Sequence, residues 1–126
     1  MITLMRKKGS KPRTKEPLYW LQWTRIATVT KNRLAKIMAR SSTFSTGEVE
    51  GIMTDFAQHI CDELLEGNEV EIQGLGTFRL KVRCKTSDNL RDLTAEGAEI
   101  DIAFEPDADL RQRLRTESEF KIVSKK

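Results

Sequence analysis

The side chains in this sequence best spaced for chemistry are cations. Arg79, Lys81, Arg83 and Lys85 recur at every second position, and because successive side chains of a β-strand point to opposite faces, that spacing gathers all four on one face. Four cations in register fit a row of phosphates; they fit an ordinary solvated face equally well. A denser group, Arg6, Lys7, Lys8, Lys11, Arg13 and Lys15, lies among Gly9, Ser10, Pro12 and Thr14. Groups for covalent or metal chemistry are sparse. The single histidine, His59, has neither a nucleophile nor a second ligand nearby, and Cys61 and Cys84 lack the paired spacing of a zinc site. No catalytic residue, metal, cofactor or small-molecule substrate is therefore expected. His59 reads as a partly buried helix residue, and the cysteines read as small buried hydrophobes in a reducing compartment.

The elements that must carry these cations follow from periodicity. Thr30 suits an N-cap, after which Leu34, Ile37 and Met38 form a short apolar stripe, with Lys31 and Arg33 in the first turn. Ser45 and Glu48 have the spacing of a capping box. From there Val49, Ile52, Met53, Phe56, Ile60, Leu64 and Leu65 recur at three and four, which predicts a second helix running to about Glu66 and stopped by Gly67. Val70 and Ile72 mark a short strand; Phe78, Leu80, Val82 and Cys84 mark a longer one, opposite the cations. Between them, Gly74-Leu75-Gly76 resembles a phosphate-binding loop only superficially. Such a loop needs a helix N-terminus after it, whereas Thr77-Phe78-Arg79-Leu80 is strand-like, so the glycines are assigned to a tight turn.

Further on, residues 86–97 read as a polar loop that Leu90 and Leu93 pin to the sheet, possessing at most one helical turn. Glu99–Glu105 alternates again, with Ile100, Ile102 and Phe104 on one face and Glu99, Asp101 and Glu105 on the other. If this strand pairs antiparallel with the basic one, its acids meet the cations across the sheet and neutralise them. A closing helix is expected to begin near Pro106, with Pro106 in its first turn, and to carry Leu110 and Leu114. The aromatic segment 18–28, holding Tyr19, Trp20 and Trp23, reads as an added edge strand. Its rings serve packing in this reading, although aromatics beside cations also suit base stacking.

The segment from Glu66 through Gly67, Val70, Ile72, Gly74, Leu75, Gly76 and Thr77 to Phe78 resembles the helix end, strand and Gly-Phe-Gly-Thr-Phe turn of the HU/IHF nucleoid proteins, with Leu75 in place of the usual Phe. Phe104-Glu105-Pro106 followed by Leu110 is similar to that family's approach to its last helix, and the likeness covers about residues 29–116. The N-terminal extension resembles the variant HU-related proteins of the Bacteroides group. The resemblance implies an α+β fold: two helices, a small antiparallel sheet with arms and a short C-terminal helix, in an intertwined homodimer that binds duplex DNA in the nucleoid of the cytoplasm. It also implies arm tips with an Arg-Asn-Pro motif whose proline wedges between base steps. Here the interval between the two long strands has no proline and one cation, Arg91, so the arm is read as shortened and DNA bending as slight.

Charge divides the chain. Residues 1–40 hold 11 Lys and Arg against one acid, Glu16, for a net +10; residues 41–126 hold 11 against 18 acids, for a net −7. The expected organisation is a flexible basic arm over 1–17, an HU/IHF-like domain over 18–118 and a polar tail over 119–126. No apolar run approaches the length of a membrane span. The candidate DNA-binding residues are Arg6, Lys7, Lys8, Lys11, Arg13, Lys15, Lys31, Arg33, Arg79, Lys81, Arg83 and Lys85, contacting the phosphate backbone with little regard to base sequence. A second reading is an HU-like interaction module that keeps the dimer and has lost DNA binding or bending. In a third, the basic arm folds onto its own acidic body.

Overall fold

The computed structural model describes residues 1–123. In chain order they form β1 (Ile2–Ser10), β2 (Pro17–Thr24), α1 (Lys31–Arg40), α2 (Thr46–Leu65), β3 (Val70–Ile72), β4 (Gly76–Arg83), a single 3-10 turn at Leu90–Asp92, β5 (Glu99–Pro106), α3 (Ala108–Glu117) and β6 (Phe120–Val123). Two three-stranded sheets result, ordered β2-β1-β6 and β3-β4-β5.

The helices begin where their caps dictate. The Thr30 side chain accepts from the Arg33 N–H, and at the head of α2 the Ser45 side chain accepts from Glu48 N at 3.1 Å while Glu48 Oε1 accepts from Ser45 N at 3.3 Å. Two donors left over by helix geometry are satisfied reciprocally there. Polar bonds also join the two helices: Lys31 Nζ donates to Thr54 Oγ1 at 2.8 Å, and Asn32 Nδ2 donates to Glu50 Oε1 at 2.8 Å. Among the described residues the buried hydrophobic core is Ala35, Val49 and Leu64, while Ile37, Ile52 and Phe56 stay 49%, 56% and 47% exposed. The apolar faces of α1 and α2 are left uncovered by their own chain.

The turn between β3 and β4 needs its glycines. Gly74 has φ of 86°, a left-handed conformation that costs a side chain energy. A Cβ on Gly76 would run into the carbonyl oxygen of Glu105 and the ring of Phe104. Asp107 then locks the turn to the next element. Its carboxylate accepts from Gly74 N at 3.0 Å and its own N–H donates to Leu75 O at 3.0 Å. With its side chain so engaged, Asp107 gives α3 no side-chain cap. Phe78 and Phe104 meet across β4 and β5, their ring centroids 4.8 Å apart.

Several expectations change here. Residues 2–10 are a strand and not a flexible arm, because β2 pairs along the whole length from Thr3↔Thr24 to Ser10↔Pro17 and β6 pairs in parallel with Ile2–Met5. Phe120–Val123 likewise belongs to that sheet and is no tail; residues 124–126 of the expected tail lie outside the described residues. Pro106 ends β5 and α3 starts at Ala108, since Asp107 takes the N-cap position. Leu90 is 83% exposed and does not pin its loop to the sheet. His59 is exposed, 4.0 Å from Asp62 across one helical turn, because it points away from the Val49 and Leu64 stripe. Cys61 and Cys84 are free and exposed, the first within α2 and the second one residue beyond β4.

Candidate nucleic-acid interface

The twelve cations read from the sequence separate into three places. Arg79, Lys81 and Arg83 lie on β4, and Lys85 follows it, its Nζ near Gly97. Antiparallel pairing with β5 sets Lys81 opposite Asp101 and Arg83 opposite Glu99. Arg79 Nη2 donates to Glu105 Oε2 at 2.7 Å, and its Nε stands 3.6 Å from Glu69. Arg83 Nη2 lies 3.6 Å from Glu99. The alternation that aligns the cations on β4 thus aligns the acids of β5 against them, as the sequence reading anticipated. Glu69 was missed. It precedes β3, and its position beside Arg79 depends on the turn that brings β3 back along β4.

Lys31 and Arg33 occupy the first turn of α1, where the helix dipole disfavours cations. Lys31 is turned toward Thr54 of α2, so its ammonium is held against the helix pair.

The remaining six sit on one hairpin. Arg6, Lys7 and Lys8 belong to β1, and Lys11, Arg13 and Lys15 belong to its connection with β2. That connection is closed by Lys11 N donating to Glu16 O at 2.9 Å and Lys15 N donating to Lys11 O at 3.0 Å, with Lys15 at φ of 58°. Its one acid, Glu16, pairs with Lys11 at 3.4 Å. Lys7, Lys8, Arg13 and Lys15 make no ion pair among the described residues. Among the described residues these four cations do not fold onto the acidic body through ion pairs. Register places Arg6 beside Leu21 and Lys8 beside Tyr19 on one face, and Lys7 beside Trp20 on the other. Gly9 leaves room for the Trp20 ring: a Cβ there would sit 2.9 Å from it.

A family model described as an HU domain fused to wHTH, Ig or a glycine-rich motif matches residues 3–121. Integration host factor subunit beta of Shewanella baltica is 31% identical over 94 residues, covering 68% of this chain and 95% of the relative. The Shewanella pealeana subunit is 33% identical over 91 residues, with the same coverage. Among solved structures, a candidate DNA-binding protein of Bacteroides vulgatus superposes with a TM-score of 0.65 at 13% identity. It covers 98% of this chain, which spans 49% of that protein's length. HU of Anabaena, solved with DNA, superposes with a TM-score of 0.54 at 17% identity, covering 71% of this chain and 99% of its own. The chain belongs to the HU/IHF family, in the branch that this family model describes. No helix among the described residues is long and apolar enough to cross a membrane.

Proposed function

We propose that this protein is a non-enzymatic, nucleoid-associated DNA-binding protein that grips duplex phosphates with little base preference and works as a homodimer. One observation carries the DNA contact: four cations of the β1–β2 hairpin, Lys7, Lys8, Arg13 and Lys15, have no acidic partner among the described residues. Those four, with Arg6 and Lys11, supply most of the phosphate contacts. Arg33 and the half-neutralised β4 face contribute less. Membership of the HU/IHF family and the likeness to an HU solved with DNA support the same ligand. A half-neutralised β4–β5 surface suits a flat, non-inserting contact.

The homodimer rests on the uncovered helices. A chain of 126 residues ordinarily buries a substantial core, yet Leu34, Ile37, Ile52 and Phe56 remain 42–56% exposed on α1 and α2. Twofold pairing through the same surface on each copy is the economical way to cover them.

The test is duplex affinity measured against salt, because each phosphate contact steepens the dependence of log K on log salt by about 0.9. A steep negative slope is expected. A flat response, or no binding, would leave the second reading, an HU-like interaction module, which the net −7 of residues 41–126 favours.

A further inference from the structure

We propose that the β1–β2 hairpin is a ribbon that enters the DNA major groove, so that this added element takes the place of the shortened β4–β5 arm as the part of the protein reaching between the two backbones. The inference rests on the duplex-binding reading above and specifies how the duplex is engaged.

Three observations carry it. The first is shape. Among the described residues β6 pairs with β1 from Ile2 to Met5, and the β1–β2 pairing runs on past those four positions to Ser10↔Pro17 as a hairpin. Five further register pairs, Arg6↔Leu21 to Ser10↔Pro17, precede the turn. At about 3.4 Å per residue they span roughly 17 Å. A two-stranded ribbon matches the major groove, which is about 12 Å wide and about 8.5 Å deep.

The second observation is where the charges point. An element resting on one strand of the backbone needs cations on a single face. An element lying within a groove has a phosphate wall on either side and needs them on both. Arg6 and Lys8 stand on one face of the ribbon, Lys7 stands on the other, and Lys11, Arg13 and Lys15 surround the tip. This arrangement suits two walls and a floor. On β4 the cations share one face and meet acids across the sheet, so that ribbon lacks the same complement.

The third is the sparsity of opposing charge. Between Arg6 and Leu21 the only acid is Glu16, held by Lys11 at 3.4 Å. Nothing else on the ribbon repels phosphate. Its remaining large side chains, Tyr19, Trp20 and Leu21, are 67%, 44% and 48% exposed, and they offer apolar contact to base edges such as the thymine methyl.

The test is dimethyl sulfate footprinting of the full chain on a mixed-sequence duplex. It reads guanine N7 in the major groove and adenine N3 in the minor groove, in parallel with affinity against salt. The expected result is protection of guanine N7. That protection should weaken in the variant Arg13→Gln/Lys15→Asn, whose salt slope should fall in magnitude by about 1.8 for two lost contacts. Asn suits the left-handed backbone at position 15, and an unchanged circular dichroism spectrum verifies the fold. Duplex binding with adenine N3 protection, with no groove protection, or with guanine protection undiminished in the variant would overturn the ribbon inference while leaving the DNA-binding function intact. Absence of duplex binding by the unaltered protein would overturn both.

Discussion

Two antiparallel ribbons of this chain carry cations at strand spacing, and they differ in what stands opposite. On β4 every second residue from Arg79 to Arg83 is basic, and β5 answers with Glu99, Asp101 and Glu105. On β1 the cations Arg6, Lys7 and Lys8 are answered by Leu21, Trp20 and Tyr19. Cation count alone would rank the two alike. Cross-strand register ranks them: charges met by acids across the sheet give less attraction at a distance, whereas Lys7 and Lys8, set beside aromatic neighbours, keep theirs for phosphate.

The largest perturbation breaks both ribbons together. Phe56→Asp puts a charge into the apolar face shared by α1 and α2, and the expected outcome is loss of the proposed dimer with unfolding, followed by sedimentation and circular dichroism. A wild-type chain that sediments as a folded monomer at micromolar concentration would remove the reason for this expectation.

Next in size is an attack on the first ribbon alone. Replacing Lys7, Lys8, Arg13 and Lys15 by Gln should weaken duplex binding by about two to four orders of magnitude near 0.1 M salt and flatten the salt slope by about 3.6. Stability should change little, since these side chains make no ion pair among the described residues. Deleting residues 1–15 is a poorer experiment than the sequence suggests. It removes six cations, and it also removes β1, the central strand of its sheet.

A smaller effect comes from making the second ribbon resemble the first. Glu99→Gln/Asp101→Asn/Glu105→Gln unmasks Arg79, Lys81 and Arg83 and should raise duplex affinity about tenfold, with a steeper salt slope. Its cost in stability, read by thermal denaturation, should stay within about 1 kcal/mol per lost exposed pair. Unchanged affinity would mean that β4 never meets the duplex.

The smallest effect concerns the loop between β4 and β5. Energy transfer between the ends of a short duplex should show little shortening on binding, and Leu90→Ser/Leu93→Ser should leave it unaltered. A strong decrease that this variant abolishes would make the loop an inserting wedge, for which the 83% exposure of Leu90 leaves room.

Much of this contrast could be read before any coordinates. Caps at Thr30 and Ser45, the periodicity of α2, the glycine turn and the acids of β5 are local signals, and each appears where the spacing put it. The sheet built on β1 was illegible for a physical reason. Residues 6–15 have the composition of a solvated segment, and what makes Ile2–Ser10 a strand lies elsewhere in the sequence: the aromatic β2 along one edge and β6, more than a hundred residues later, along the other. Exposure of His59, Cys61 and Cys84 was missed because an amphipathic pattern assigns the middle of the apolar stripe more surely than its margins.

The parallel pairing of β1 with β6 also has a mechanical side. Ile2↔Phe120 through Met5↔Val123 are aligned in one direction, so tension applied at the start of β1 and the finish of β6 runs along the strands in opposite senses. The four register pairs then share the load in shear and must yield together, instead of parting one at a time like a zipper. The seam holds the hairpin's base against forces transmitted along the chain, and it anchors the basic ribbon against the pull of whatever it grips.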